Sequence, residues 1–377
     1  MKKRLLALLL ALATLLMLVA CGGGNGEGGE GNGESGENAT VQDENGLVYA
    51  KSGDTYTVVG YKGKGGAVSV PASFNGIAVT ALSSDAFYGN KTVTALSLPA
   101  SITSISSFAV ASCAKLTTLT VDSANPVYRA ENNCLLKGEV LVSACLGSDL
   151  AATAFTEVGD YALYGLAISQ VTLPDTVKTI GKYAFAFCGA VTVTLPEGVE
   201  ECKEGAFYFC QKLKSLALPA SLKTFANDAF AFMTALESVS VAEGSPYYTA
   251  KSNCLIRLSD KTLVLGCAKS TIPSDGSVTK IGAAAFAGAV ALKSIYIPEP
   301  ITEIGKNAFY ATALERASFA VNRWYVAAAE GATVGTALDT KNILSHTGHP
   351  MTADEVVAYN ALLLREAYAT MRWFTLP

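Results

Sequence analysis

The hexamer Ile304-Gly305-Lys306-Asn307-Ala308-Phe309 repeats Ile281-Gly282-Ala283-Ala284-Ala285-Phe286 and Ile180-Gly181-Lys182-Tyr183-Ala184-Phe185. Looser copies run Cys202 to Phe207, Phe225 to Phe230, Leu82 to Phe87, Ile105 to Val110 and Val158 to Leu163. The last residue of each copy defines an anchor column: Phe87, Val110, Leu163, Phe185, Phe207, Phe230, Phe286 and Phe309. Most successive anchors lie 22 or 23 residues apart, and the exceptions, Val110 to Leu163 and Phe230 to Phe286, lie 53 and 56 apart. Each long interval equals one period plus an insert of about 30 residues. Self-similarity at a fixed short period means a stack of equivalent coils, because one such unit cannot bury its own apolar face.

A second pattern recurs between anchors. Leu213-Lys-Ser-Leu216-Ala-Leu218-Pro219 matches Leu292-Lys-Ser-Ile295-Tyr-Ile297-Pro298, and Val93 to Pro99, Leu116 to Val121 and Leu236 to Val241 follow it. Apolar residues alternating with small polar ones mark a half-buried strand, and the proline ends it because it cannot donate to a ladder. The combined pattern, I-G-x-x-A-F-x-x-C-x-x-L-x-x-I-x-I-P, resembles the BspA-type leucine-rich repeat of bacterial surface proteins over roughly Leu47 to Phe319. The resemblance implies a β-rich leucine-rich-repeat solenoid, a right-handed arc with short parallel strands on its concave face.

The two inserts match each other. Asn125-Pro126-Val127-Tyr128, Asn133-Cys134-Leu135-Leu136 and Val140-Leu141-Val142 correspond to Ser245-Pro246-Tyr247-Tyr248, Asn253-Cys254-Leu255-Ile256 and Leu263-Val264-Leu265. Each reads as a hairpin, expected to project from one edge of the solenoid, where binding loops usually sit.

The expected organisation is a lipoprotein signal peptide over 1–20, a lipidated Cys and disordered linker over 21–40, N-terminal cap strands over 41–80, the solenoid over 81–320 with inserts near 122–150 and 242–272, and a C-terminal tail and helix over 321–377. The basic start Lys2-Lys3-Arg4 precedes an apolar run, Leu5 to Ala20. At ~1.5 Å per residue this run spans about 24 Å, short of the ~30 Å hydrocarbon core. Leu18-Val19-Ala20-Cys21 resembles a lipobox, which implies lipidation of Cys21 and cleavage before it; the plain alternative is an ordinary secreted protein with a chance cysteine. Gly22 to Asn38 contains only Gly, Asn, Glu and Ser. It has nothing apolar to bury and reads as a flexible tether. Near the other end, Thr352-x-x-Glu355 is a capping box, and apolar residues at helical spacing predict a helix from about Ala353 to Met371.

Only 16% of residues are charged and the net charge is −4, which argues against nucleic acid or anionic lipid as a partner. The expected membrane contact is the lipid alone.

Candidate chemistry is sparse. Cys113, Cys188 and Cys210 fill the repeat's cysteine column, where a thiol packs as a small hydrophobe. Cys254 and Cys267 fall opposite each other if the hairpin turns at Ser259 to Thr262, and Cys134 and Cys145 hold corresponding positions; these are candidate disulfides, with free thiols the other reading. His346 and His349 are the only histidines, in a Gly- and Pro-containing segment without a fixed third ligand. No nucleophile elbow is present, and Glu200-Glu201 reads as a solvated turn. No catalytic residue, metal or cofactor is expected.

The concave strands offer the best binding surface. Their outward positions include Thr118, Thr120, Gln170, Thr172, Ser238, Ser240, Ser294, Tyr296 and Arg316, a shallow hydroxyl-rich face suited to extended protein or sugar, or simply to solvent. A second aromatic set, Tyr88, Tyr164, Phe187, Tyr208, Phe209, Phe232 and Tyr310, reads as the packed edge of the stack. The expected function is non-enzymatic: display of a scaffold that binds an extracellular protein, in adhesion or in host or microbe contact. The alternative is surface capture of a glycan for uptake or degradation, with hydrolysis in the tail a third reading.

Overall fold

The computed structural model describes residues 40–226, 228–329, 335–341 and 351–376. The leader, Cys21, the tether, His346 and His349 lie outside the described residues. The described chain is a β-solenoid of about 11 turns with one C-terminal helix. A typical coil runs through a two-residue lateral strand, a turn bearing the anchor, and a longer strand on the face expected to be concave. The lateral strands pair in parallel register, Glu157↔Thr179↔Glu201↔Thr224 and Val158↔Ile180↔Cys202↔Phe225.

All eight anchors are buried, at 4% exposure or less. Their rings stack coil on coil: Phe185 on Phe207 at 4.7 Å, Phe207 on Phe230 at 5.5 Å, and Phe286 on Phe309 at 5.0 Å. A feature the sequence did not announce lies two residues beyond each anchor. Gly89, Ser112, Gly165, Phe187, Phe209, Phe232, Gly288 and Ala311 all have positive φ, between 56° and 77°. The coil turns there through the left-handed region, which costs a non-glycine residue about 1 kcal/mol or more. The aromatic members repay this by stacking with one another, Phe187 on Phe209 at 5.1 Å and Phe209 on Phe232 at 5.2 Å.

The inserts do not project as expected. Each is an added coil laid into the stack. Arg129–Glu131, Cys134–Lys137 and Val140–Ser143 form an antiparallel meander whose last strand joins the lateral ladder, Val140↔Glu157 and Leu141↔Val158. Tyr248–Lys251, Cys254–Arg257 and Thr262–Leu265 repeat this, with Thr262↔Lys280 and Leu263↔Ile281. Leu135, Leu136, Leu141, Leu255 and Leu263 are fully buried. Apolar residues on both faces of these strands made projection physically unfavourable.

The ends are closed by antiparallel pairing. Thr40–Gln42, Leu47–Ser52 and Thr55–Tyr61 form a meander that feeds in parallel onto Ile77–Leu82. At the far end Thr352 caps the helix reciprocally with Glu355, but the α-helix ends earlier than expected, at Leu362, and continues as a π-turn over Leu363–Ala367. The chain then returns as Arg372–Phe374, antiparallel to both Glu303–Ile304 and Arg323–Ala327. Trp324 and Trp373 are buried there, and Trp373 stacks on Phe319 at 5.9 Å. Two antiparallel strands, each with one buried tryptophan, therefore seal the last coil, with the helix packed beside it.

Candidate functional site

The long strands on the expected binding face are not one continuous sheet. Gly66–Ser69, Val93–Leu98 and Thr118–Val121 make one; Gln170–Thr172 pairs with Thr192–Thr194; Ser215–Leu218 pairs with Ser238–Val241; Ser294–Ile297 pairs with Arg316–Phe319. Two of the breaks coincide with the inserts. Each inserted coil has a lateral strand but contributes no long strand: among the described residues, none lies between Ser143 and Glu157 or between Leu265 and Lys280.

The candidate residues all point outward. Thr118, Thr120, Gln170, Thr172, Ser238, Ser240, Ser294, Tyr296 and Arg316 are exposed, while the residues between them, such as Leu119, Val171, Val239, Ile295 and Ala317, are buried. The sequence reading missed Thr192 and Thr194, which face outward beside Gln170 and Thr172. Their strand, Val191-Thr-Val-Thr194, carries the period-two signal in shortened form.

The outward residues form separate groups rather than one site. Ser294, Tyr296 and Arg316 come together in a groove of about 450 Å³ with Lys269 and Thr271 of the second insert and Val357 of the helix. The Tyr296 side chain is prominent, with 53% of the residue exposed. Arg316 Nη2 donates to Asp354 Oδ1 at 2.9 Å, and Lys269 Nζ to Glu237 Oε2 at 2.6 Å, so both cations of the groove are already paired. Gln170 and Thr172 line a corresponding groove of about 600 Å³ with Ser148 and Asp149 of the first insert. Thr118 with Thr120, and Ser238 with Ser240, lie on the strands that precede the two gaps.

The candidate crosslinks are not formed, and the free-thiol reading holds: all eight cysteines among the described residues are free and buried. The hairpin register explains why. Arg257 pairs with Thr262 and Leu255 with Leu265 across a bulge, so Cys254 falls opposite Gly266 and Cys267 opposite Asn253. A one-residue offset between antiparallel neighbours sends side chains to opposite faces. Cys254 and Cys267 accordingly belong to different apolar clusters of the core. Leu135↔Ser143 places Cys134 and Cys145 in the same offset. The repeat-column thiols instead donate to carbonyls of a neighbouring coil, Cys113 to Phe87 at 3.1 Å, Cys188 to Leu166 at 3.4 Å and Cys210 to Phe185 at 3.0 Å. Burial pushes Cys113 and Cys188 up to about 11 and Cys202 to about 12. Few thiolates form at neutral pH, which makes these sulfurs inert packing groups.

The second aromatic set is packing as well. Tyr88, Phe108, Tyr164, Phe187, Tyr208, Phe232 and Tyr310 make an unbroken chain of ring contacts at 5.2 to 6.3 Å across both inserts. Glu200, singled out with Glu201, is held in an ion pair with Lys223 at 2.6 Å. No group of three or more metal-ligating side chains occurs among the described residues. No helix among them is long and apolar enough to cross a membrane.

A family model described as the BspA type leucine rich repeat region matches six copies, over residues 73–150, 156–265 and 263–326. The chain belongs to the BspA-type leucine-rich-repeat family. Its matched span includes both inserts, which fits their place inside the stack. Among solved structures it is similar to a leucine-rich cell surface protein from Faecalibacterium prausnitzii, with 21% identity, covering 76% of this chain and 77% of that one, at a TM-score of 0.47. It is similar to a leucine-rich repeat protein from Bacteroides ovatus, at 25% identity, 75% and 71% coverage and a TM-score of 0.44. The pneumococcal vaccine antigen PcpA is another likeness, at 17% identity, 75% and 82% coverage and a TM-score of 0.40. A search of curated proteins finds no match. Proteins of this repeat type are scaffolds, and function on such a scaffold must be argued from the surface it presents.

Proposed function

We propose that this BspA-type protein is a cell-surface recognition protein, held to the membrane by a lipid on Cys21, which binds an extracellular protein through the outward rows of its long strands. The observation that carries the reading is the outward row itself. Strand after strand presents exposed Thr, Ser and Gln over a buried apolar row, giving a broad, shallow surface on which Arg316 is paired with Asp354. Such a surface is shaped for another macromolecule rather than for a small molecule, which would be enclosed. Family membership supports the surface setting, and the basic start, apolar run and Leu18-Val19-Ala20-Cys21 support the anchor. Glycan capture is the second reading, favoured by the exposed Tyr296 ring beside hydroxyl groups.

The test is binding of the chain from Gly22 onward to arrays of matrix and microbial surface proteins, beside a Thr118→Lys/Thr194→Lys/Ser240→Lys variant. These positions are exposed and lie outside both insert grooves, so the variant is expected to fold. Three lysines on the face should weaken saturable protein binding by about tenfold or more through steric and desolvation cost. Unchanged binding in the variant, or binding only to glycans, would overturn the reading.

A further inference from the structure

The two breaks beside the inserts each stand where one long strand is missing. An ordinary coil supplies a lateral strand and then a long strand; the inserted coils supply the first and omit the second. The loop that stands in for the missing strand hugs only one side of the gap. In the first insert, Leu146 N–H donates to the Leu116 carbonyl at 2.9 Å, and Leu119 N–H donates to Asn133 Oδ1 at 3.2 Å. Gly147 sits so close that an added Cβ would lie 2.0 Å from the Thr117 carbonyl oxygen. In the second, Asn253 Nδ2 donates to the Lys269 carbonyl at 3.4 Å, and Lys269 is tied to Glu237 at 2.6 Å. The first loop is bonded to the preceding strand through its main chain, and the second is linked to the residue before that strand by the Lys269–Glu237 ion pair.

The following strand is left with an open edge. The carbonyls of Lys293 and Ile297 accept from Glu315 and Ala320, at 2.8 and 2.9 Å, so alternate residues of this strand face Arg316–Phe319. The main chain of Ser294 and Tyr296 then faces the gap. The Ser169 carbonyl accepts from Val191 at 2.8 Å, which likewise turns the main chain of Gln170 and Thr172 toward the first gap. Among the described residues, nothing outside their own sheets bonds the main chain of these four. Open edges are ordinarily blocked by lysine, proline or a bulge; here Gln170, Thr172, Ser294 and Tyr296 block nothing.

We propose that the free edges of Gln170–Thr172 and Ser294–Ile297 each take up an extended segment of the partner polypeptide as an added strand. This rests on the protein-binding reading above and names how the partner is held. Strand addition draws affinity from main-chain bonds and specificity from alternate side chains. The grooves, about 600 and 450 Å³, mix hydroxyl groups with aliphatic side chains; Asp149 in the first accepts from Ala152 N–H, and the cations Lys269 and Arg316 of the second are neutralised by Glu237 and Asp354. The segment that fits is uncharged and small or polar where it faces the floor. The gaps share one face and are separated by five strand steps, roughly 24 Å at ~4.8 Å per step. A partner with two extended stretches at that spacing gains avidity from both.

The probe is a set of unstructured dodecapeptides selected from a random library against the chain from Gly22 onward. The readout is main-chain amide exchange by NMR, with each peptide also made N-methylated at alternate residues. Binding should slow exchange at Gln170, Thr172, Ser294 and Tyr296, and N-methylation should weaken it by about tenfold, the loss of one or two main-chain bonds. Thr172→Pro and Tyr296→Pro, which delete an outward N–H, should weaken binding by about as much, whereas Thr172→Ala should cost less than about threefold. If the proline variants do not fold, the N-methylated peptides decide alone. Selected peptides that leave the four amides unprotected, or that ignore N-methylation, overturn strand addition while the protein-binding reading stands on its array test. Failure of the array test together with silence from the library overturns both.

Discussion

The two inserted coils, around residues 122–150 and 242–272, are the same device built twice, and they differ where a ligand would touch them. Both turn on adjacent residues of positive φ, Asn132-Asn133 at 48° and 60° and Ser252-Asn253 at 51° and 59°, which matches the twist of the hairpin strands. Both are fastened by one serine hydroxyl. Ser148 Oγ donates to the Asn133 carbonyl at 2.6 Å and accepts from Cys145 N–H at 2.9 Å. Ser270 Oγ donates to the Asn253 carbonyl at 2.6 Å and accepts from Cys267 N–H at 2.8 Å. The strands that follow diverge: Gln170 and Thr172 face the first gap, Ser294 and the exposed Tyr296 ring the second. Packing holds the inserts alike, and the gap-facing positions, which carry no packing duty, are free to vary.

The strongest way to break this pairing is to ask whether both inserts are core. Leu135 and Leu255 hold equivalent positions and are each fully buried. Truncation to Ala should cost about 3 kcal/mol at either site, measured by denaturant unfolding of the chain from Gly22 onward. Projecting hairpins would give values near zero, and a large gap between the two sites would mean that the inserts are not equivalent elements.

A smaller and deliberately unequal effect tests the coils that follow. Gly165 and Gly288 each stand two residues past the first anchor after an insert, with φ of 65° and 77°. A Cβ at Gly288 would meet Phe232 Cα at 2.6 Å, whereas one at Gly165 meets Ser112 Oγ at 1.9 Å. Backbone cannot yield, but a serine rotamer can. Gly288→Ala should therefore cost about 3 kcal/mol, left-handed strain plus overpacking, and Gly165→Ala about 1 to 2 kcal/mol. Equal losses would show that strain alone sets the cost.

How much of this was readable from sequence follows from which forces leave a periodic trace. The anchors and the alternating strands are packing columns, repeated at every coil, so Phe87 to Phe309 and the outward Thr and Ser rows were legible. The inserts were legible as a matched pair but not as coils: one pairing step decides whether Cys254 meets Cys267, and the bulge between Leu255 and Ile256 has no composition signal. Trp373 sat in what read as a C-terminal tail because its stacking partner, Phe319, is distant in sequence. The left-handed column was hidden because Phe187, Phe209 and Phe232 occupy it where glycine would have announced it. The gaps in the strand face were invisible for a related reason: a strand that is missing leaves no pattern.

The smallest effect separates the inserts by pH. Only the second closes its turn with an ion pair. Arg257 donates to Asp260 through Nε at 3.0 Å and Nη2 at 2.8 Å, where the first has Lys137-Gly138-Glu139. The guanidinium hydrogen bonds hold the Asp260 carboxyl down at about 2, against an ordinary 3.8. A carboxyl whose folded value is depressed adds stability that is fully present above its unfolded value and is lost as pH falls through the folded one. The contribution is therefore complete above about pH 5, shrinks below pH 4 and is gone below about pH 2. Both side chains are more than a third exposed, so the pair is worth less than about 1 kcal/mol. Asp260→Asn should lower the thermal midpoint slightly at pH 7, and the difference from the parent chain should close as the pH approaches 2. A difference that persists unchanged at pH 2 would mean that Asp260 does not act through its charge, and that the two turns differ in shape and not in electrostatics.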